Sequence, residues 1–197
     1  MSITIITPTY KRDENILLRC IKSVDSQIYQ DFKHIIMVDD INLEDHISSE
    51  FINSHSSEKR KFIPLGYRSN NYGNDPRQKC IEMSDTDYIV FLDDDNIIFP
   101  NYLSELIKGV KNFDVGICKI VHLGPLPAPL WPPPKVIDGN PPVLQNIDTL
   151  QIIVKTEVMK REGWEVDKGY LADGYTLEKL CKRNSYTFIN EILGIHM

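Results

Sequence analysis

The chain has 197 residues, of which 42% are hydrophobic and 25% are charged, and its formal net charge is −6. This length suits one domain with a single core, which folds without disulfides or a structural metal. The acidic balance argues against a nucleic-acid partner, and no apolar run reaches the roughly 18 residues of a transmembrane segment.

The cysteines and the first residues indicate the cellular compartment. The sequence opens on ITIIT without a basic region or a long apolar segment, so we recognise no signal peptide. The cysteines show no Cys-x-x-Cys pair and no zinc-ligand spacing, which predicts reduced, packed thiols at Cys20, Cys80, Cys118 and Cys181. We therefore expect a cytoplasmic protein, and the sequence leaves its oligomeric state open.

Strand-like and helix-like segments alternate through the first half of the chain. We predict strands over residues 3–7, 34–38, 62–65 and 88–92. Apolar spacings of three and four predict a helix over 17–28, and proline near a helix start predicts helices over 75–83, with Asp75 as N-cap, and from Pro100 to residue 110. This alternation predicts an α/β, Rossmann-like domain with a mixed, mostly parallel central sheet flanked by helices.

The second half is interrupted by proline. We predict strands over 115–121 and 150–154 and helices over 157–162 and 175–183. Eight of the 12 prolines lie between Gly124 and Pro142, and proline lacks the N–H that helices and central strands need. The sequence therefore predicts a long loop over 124–142. Its Leu130 and Trp131 either fold over a substrate or pack into the core.

Three aspartates directly follow the apolar strand 88–92: Asp93, Asp94 and Asp95. Adjacent carboxylates repel one another, so a cation must offset their charge. Oxygen ligands at the carboxyl end of a strand favour a hard divalent ion that also contacts substrate phosphates, such as Mg²⁺ or Mn²⁺. The alternative is an acidic turn in solvent. Asp39 and Asp40 end the second strand in the same way, which predicts two acidic clusters on one sheet edge.

In four ordered segments the sequence resembles the family 2 glycosyltransferases, nucleotide-sugar-dependent enzymes of the GT-A fold. They are PTYKR after the first strand, VDD after the second, PRQKCI, and YIVFLDDDN, whose aspartates resemble the DxD motif of that fold. Together they cover about residues 3–107. The resemblance implies a nucleotide-sugar-binding half over 1–107 and an acceptor-binding half over 108–197.

The resemblance also implies roles for the residues after the first two strands. Tyr10 would lie against the base, with a core aromatic as the alternative, and Asp39 would accept a hydrogen bond from a uracil N–H. A carboxylate suits that N–H because the bond is charge-assisted. The lip of the nucleotide pocket would consist of Thr7, Pro8, Thr9 and Tyr10, with Arg12 beside it.

Further nucleotide contacts are implied near the aspartates. Arg77 would reach the nucleotide, Asp93 would lie near the ribose, and Asp94 would belong to the same site. Asp95 would be the direct metal ligand. His196 would be a further metal ligand, which favours Mn²⁺ over Mg²⁺, or else a solvated terminal histidine.

The general base implied by the resemblance is Asp173. Alignment on the acid puts Ala172 where the family usually has glutamate, whereas alignment on the following leucine puts Asp173 one place early. In either alignment Asp173 is the only carboxylate available in that motif. The alternative is that Asp173 only caps the following helix. Asp138 and Asp148, near the proline-rich loop, are the substitutes if Asp173 is not the base.

Together these features predict a metal-dependent glycosyltransferase. It would move a sugar from a UDP-sugar, with a UDP-glucose-type donor expected, to a hydroxyl of a saccharide or lipid-linked acceptor, with inversion. One alternative is a sugar-1-phosphate nucleotidyltransferase, although PTYKRDEN lacks the glycine-rich loop of that class. The other is a non-catalytic module that binds a nucleotide or a metal.

Overall fold

The computed structural model describes residues 1–123, 135–144 and 146–197. Within these residues six helices flank one sheet of nine strands. The strands are β1 (Ile3–Thr9), β2 (Phe32–Val38), β3 (Arg60–Pro64), β4 (Tyr88–Phe91), β5 (Ile97–Ile98), β6 (Val115–His122), β7 (Lys135–Ile137), β8 (Ile152–Lys155) and β9 (Tyr186–His196). The helices are α1 (Glu14–Asp25), α2 (Ser49–His55), α3 (Asn74–Met83), α4 (Tyr102–Val110), α5 (Thr156–Glu162) and α6 (Ala172–Arg183).

The sheet is parallel in its first half and mixed in its second. Its order is β3-β2-β1-β4-β8-β6-β9-β5, and β7 pairs with β6 outside this path. Neighbours from β3 to β4 run parallel, whereas β8 is antiparallel to both β4 and β6. The α/β class with a mixed sheet is therefore confirmed.

Apolar residues on successive strand positions supply the two faces of the sheet. In β4, Val90 packs in the cluster that contains α1 and α4, and Phe91 packs in the cluster that contains α3, α5 and α6. A third cluster joins α1 and β2 to α2, where Phe51 is buried. This layering holds the carboxyl ends of β1, β2 and β4 on a packed core.

Two helix ends differ from the sequence predictions. The helix predicted over 17–28 ends at Asp25, and Ile28 is 69% exposed, so it does not extend the apolar face. The N-cap of α3 is Gly73, in the left-handed conformation at φ 75°, and not Asp75. Asp75 instead lies in the first turn and accepts hydrogen bonds from Tyr67 and Asn71.

The proline-rich loop is corrected in part. Residues 135–137, inside the predicted loop, form β7 on the edge of β6. Leu130 and Trp131 lie outside the described residues, so their predicted role stays a prediction. All four cysteines are buried free thiols, as predicted, and burial raises the pKa of Cys80 to about 12. Among the residues described, no helix combines the length and the apolar character needed to cross a membrane.

Candidate active site

The carboxyl ends of three parallel strands meet at one edge of the sheet. Thr9 of β1 pairs with Val38 of β2, and β4 lies on the other side of β1. The residues that follow these strands therefore converge, as expected for parallel strands. They surround a cavity of about 410 Å³, here called the first cleft. Its lining includes the predicted residues Pro8, Thr9, Tyr10, Arg12, Asp39, Arg77, Asp93, Asp94 and Asp95.

Thr7 does not belong to this lining, contrary to the prediction. Its side chain is fully buried, and its hydroxyl lies 2.9 Å from Nε2 of His34. Side chains alternate along a strand, so Thr7 and Thr9 share a face of β1, but Thr9 ends the strand at the cleft and Thr7 lies two positions further inside. Thr7 therefore supports the core beneath the cleft.

Arginines offset the charge of the three aspartates. Arg12 donates to Asp94 Oδ1 from Nε at 2.8 Å, and its Nη2 lies 2.8 Å from the same oxygen and 3.0 Å from Asp95 Oδ2. Arg77 donates to Asp93 from Nη2. The predicted cation is thus supplied in part by protein side chains.

Asp94 is the most enclosed of the three. It is 5% exposed and also accepts a 2.6 Å hydrogen bond from the Thr9 hydroxyl. Burial raises the pKa of Asp94, although the bonds from Arg12 and Thr9 oppose this rise. Asp94 therefore fixes the turn that presents Asp93 and Asp95, whose side chains are 27% and 32% exposed.

The sequence prediction missed Arg68, which contacts two predicted base-binding residues. Its Nη1 donates to Asp39 Oδ2 at 2.6 Å, and its guanidinium carbon lies 3.2 Å from the centre of the Tyr10 ring. Ser69 donates to Asp39 Oδ1 from its backbone N–H and its hydroxyl, at 2.9 and 2.7 Å. One signal was available, because Arg68 follows β3 at the same edge of the sheet. The other missed residues of the first cleft are Asn70, Tyr72 and Gly73.

A second cleft of about 480 Å³ adjoins the first. Asp93, Asp95, Arg77 and Tyr72 line both cavities, so they form their common wall. Asp173 and His196 line only the second cleft. The remaining lining residues are Asn74, His122, Leu144, Ile147, Asp148, Tyr170, Leu171, Gly174 and Met197.

Asp173 lies in the first turn of α6. The N-cap of this helix is Leu171, so Asp173 is not the cap, and its Oδ1 accepts a 2.7 Å hydrogen bond from the backbone N–H of Gly174. Burial raises the pKa of Asp173. Asn74 anchors the segment before α6, because its side chain donates to the Gly169 carbonyl at 2.9 Å.

His196 is held beside an aspartate. Its Nδ1 lies 3.0 Å from Asp148 Oδ2, and its ring stacks on His122 with 4.4 Å between centroids. Burial opposes its charge, but the Asp148 carboxylate raises the pKa of His196 to about 9. It is therefore not the solvated terminal histidine of the alternative interpretation. Asp138 is exposed and lies in neither cleft lining.

The residues fit a divalent ion only in part. Within the described ranges no group of three or more His, Cys, Asp or Glu side chains is arranged to hold a metal. Asp95 and His196 do line the same cleft. Mg²⁺-type sites commonly take one or two protein carboxylates plus substrate phosphates and water, so this pair fits an ion whose remaining ligands come from a substrate.

Comparisons with known proteins show the family to which this chain belongs. The family model described as Glycosyl transferase family 2 matches residues 4–160. The chain is 27% identical over 120 residues to "Succinoglycan biosynthesis protein ExoW" of Rhizobium meliloti, covering 57% of this chain and 35% of that protein. It is 28% identical over 116 residues to an "N-acetylglucosaminyltransferase" of Bradyrhizobium elkanii, covering 58% and 63% respectively.

Solved structures give the same fold. A crystal structure of S. aureus TarS superposes with a TM-score of 0.76 at 14% identity, covering 100% of this chain and 37% of that one. TarS 1-349 in complex with UDP-GlcNAc gives 0.73 at 16% identity, covering 99% and 58%. This chain thus spans less than two thirds of the length of these relatives and structures. Asp173 and His196 lie beyond the residues that the family model matches.

Proposed function

This chain belongs to glycosyl transferase family 2, and we propose that it transfers a sugar from a UDP-sugar to a hydroxyl group of an acceptor, with inversion. The observation that carries the proposal is the wall shared by the two clefts. One cleft has the residues suited to a nucleotide, the other contains Asp173, and Asp93 and Asp95 lie between them.

The nucleotide would occupy the first cleft. Tyr10 offers a flat ring for the base, and Asp39 offers a buried carboxylate. A uracil N–H that donates to a buried carboxylate forms a charge-assisted hydrogen bond. A base without an N–H at the position that faces Asp39 leaves that carboxylate without this hydrogen bond. Asp93 and Arg77 would lie near the ribose and the phosphates.

The charges of the first cleft favour a bound cation. Its lining has three arginines against four aspartates, which are Arg12, Arg68 and Arg77 against Asp39, Asp93, Asp94 and Asp95. A diphosphate adds further negative charge to a lining that is already net acidic. Mn²⁺ or Mg²⁺ held by Asp95 would stabilise the charge that develops on the departing diphosphate. His196 would be a further ligand in its neutral form, so binding of the ion would release the proton that Asp148 stabilises.

Asp173 would act as the general base. It takes the proton of the acceptor hydroxyl as that oxygen bonds to the anomeric carbon, and the bond from this carbon to the diphosphate breaks to release UDP. Positioned acid–base groups contribute about 10²–10⁴-fold to such reactions. Because burial raises the pKa of Asp173, its carboxylate is a stronger base than an exposed aspartate.

The donor and acceptor are proposed by class. A UDP-glucose-type donor remains the proposal, and the names of the relatives add UDP-GlcNAc as the second donor to test. The acceptor is a saccharide or lipid-linked hydroxyl in the second cleft. The buried free cysteines support the proposed cytoplasmic location.

A panel of nucleotide sugars with Mn²⁺, scored by UDP release in the presence of simple saccharides, tests this proposal. Release from UDP-glucose or UDP-GlcNAc supports it. Pyrophosphate release from UTP and a sugar 1-phosphate would instead identify a nucleotidyltransferase. UDP binding without turnover of any donor would identify a binding module.

A further inference from the structure

Arg68 contacts both groups that the proposed function assigns to the base. Its guanidinium carbon lies 3.2 Å from the centre of the Tyr10 ring, so the guanidinium lies over the ring. Its Nη1 donates to Asp39 Oδ2 at 2.6 Å and to the Asp39 carbonyl at 3.0 Å. A flat cation with N–H donors thus takes the place of a flat base with an N–H donor.

Asp39 leaves little room for a second partner beside Arg68. Its Oδ1 already accepts two hydrogen bonds from Ser69, and its side chain is 5% exposed. A carboxylate oxygen accepts about two hydrogen bonds. Only Oδ2 can therefore accept a further bond, and because Arg68 already donates to Oδ2 and lies over the Tyr10 ring, a base that uses both groups must move the guanidinium away.

The loop that carries Arg68 lies between two glycines. Gly66 and Gly73 flank it with φ of 93° and 75°, in the left-handed region that favours glycine. Within it Asn70 and Tyr72 both have φ of 53°, an uncommon conformation for residues with a β-carbon. The Arg68 side chain is 30% exposed, so it has a path into solvent.

We propose that Arg68 is an internal competitor for the base site: it occupies Tyr10 and Asp39 in the unliganded protein and is displaced when the nucleotide binds. This inference rests on the proposed function, because it takes the first cleft as the nucleotide site. Only molecules in which Arg68 has moved away bind the base, so the apparent affinity falls by the fraction in that state.

This competition has a signature that direct base recognition lacks. The state in which Arg68 covers Tyr10 and Asp39 belongs to the free protein. The free energy needed to move Arg68 away is therefore the same for every nucleoside that binds. Removing Arg68 should raise the affinity for each nucleoside by one common factor and leave their ratio unchanged. A residue that contacts the base in the complex would, when removed, lower the affinity and change the ratio.

The test measures uridine and cytidine binding by calorimetry, with UDP in parallel. Nucleosides carry no phosphate, so the lost positive charge of Arg68 does not weaken their binding directly. Arg68→Ala removes the competitor, and Arg68→Lys keeps the charge but loses the planar guanidinium. Lys11→Gln is the control. Lys11 is exposed, and its Nζ lies 5.4 Å from the Tyr10 ring, so this substitution removes a nearby charge but leaves the bond from Arg68 to Asp39 in place.

We expect Arg68→Ala to bind uridine roughly 5–30-fold more tightly than wild type, which is the factor expected if Arg68 covers the base site in most molecules of the free protein. Arg68→Lys should tighten binding less, Lys11→Gln should leave it unchanged, and the uridine-to-cytidine ratio should stay constant. If the wild type binds UDP but Arg68→Ala binds uridine no more tightly than wild type, the inference about Arg68 is overturned and the proposed nucleotide site is not. Absence of nucleotide binding by every variant would overturn both this inference and the proposed nucleotide site.

Discussion

Arg12 and Asp94 form a two-point ion pair beneath the first cleft, with Nε and Nη2 of the arginine each 2.8 Å from Oδ1 of the aspartate. Asp94 is 5% exposed. Removing Arg12 leaves this carboxylate with Thr9 as its remaining side-chain donor, and a lost hydrogen bond to a buried charged group costs about 1.5–3 kcal/mol. Arg12→Ala should therefore lower the free energy of unfolding by about 2 kcal/mol, measured by urea denaturation.

Lys108→Ala is the control for Arg12, because Lys108 pairs with Glu105 on the surface and is 73% exposed. It should change stability by less than about 0.5 kcal/mol. In an Arg12→Ala background, Asp94→Asn should recover part of the loss, since no buried charge is then left unpaired. Equal stability of Arg12→Ala and wild type would show that the pair does not hold the aspartate turn.

His34 predicts an acid-side loss of stability. It is buried between Thr7 and Arg60, and burial together with the Arg60 charge lowers its pKa well below 6.5. The unfolded chain therefore binds a proton near pH 6.5 that the folded chain does not. Stability should fall as pH drops from about 6.5 to 5, by up to about 1.4 kcal/mol per pH unit.

The check compares the free energy of unfolding at several pH values for wild type and His34→Gln. Glutamine keeps a donor and an acceptor but does not titrate, so the variant should lose less stability per pH unit across this range. Parallel pH profiles for the two proteins would mean that His34 does not cause the acid sensitivity.

The parts of the fold predicted from sequence are those with a regular apolar pattern. The strands that became β1, β2 and β4 are short runs rich in apolar residues, and the acidic residues that follow β2 and β4 are visible in the sequence. The resemblance to family 2 glycosyltransferases is confirmed by the family model. These features placed most of the first-cleft residues on one edge of the sheet.

Other elements carry no such pattern. β9 (Tyr186–His196) mixes buried and exposed positions irregularly, and β5, at the end of the sheet, has two residues that are held by pairing with β9. α2 buries only Phe51. Their existence depends on tertiary pairing, which one sequence does not reveal.

The sequence also did not predict which charged residues pair with one another. The sequence indicated that a cation must offset Asp93 to Asp95, but not that Arg12 and Arg77 would do so. Arg68 lies in GYRSNN, a loop with no recognisable motif. Its contact with Asp39 across 29 positions depends on the order of β1, β2 and β3 in the sheet.

Asp95 should link nucleotide affinity to a divalent ion. Hard ions are held by carboxylates and phosphates together, so Mn²⁺ should tighten UDP binding to wild type and not to Asp95→Ala. Calorimetry of UDP with and without Mn²⁺ measures this, and Asp138→Ala is the control because Asp138 is exposed and lies outside both clefts. Full sugar transfer by wild type in excess EDTA would contradict the metal dependence.

Tyr10 and Asp39 should favour uracil over guanine. Uracil presents an imide N–H to the Asp39 carboxylate and stacks as a single ring on Tyr10, whereas guanine carries a second ring that must also be accommodated beside Tyr10 and Arg68. UDP should therefore bind at least about tenfold more tightly than GDP. Equal affinities in calorimetry would count against this pocket.

The central claim is that Asp173 takes the acceptor proton, and the matching measurement is turnover of wild type and Asp173→Asn across pH. Asparagine keeps the size of the side chain but cannot accept the proton, so turnover should fall by about two to four orders of magnitude while UDP affinity hardly changes. Because burial raises the pKa of Asp173, wild-type turnover should also begin to fall on acidification at a higher pH than an exposed aspartate would give. Near-normal turnover by Asp173→Asn, with the same pH profile as wild type, would contradict the assignment.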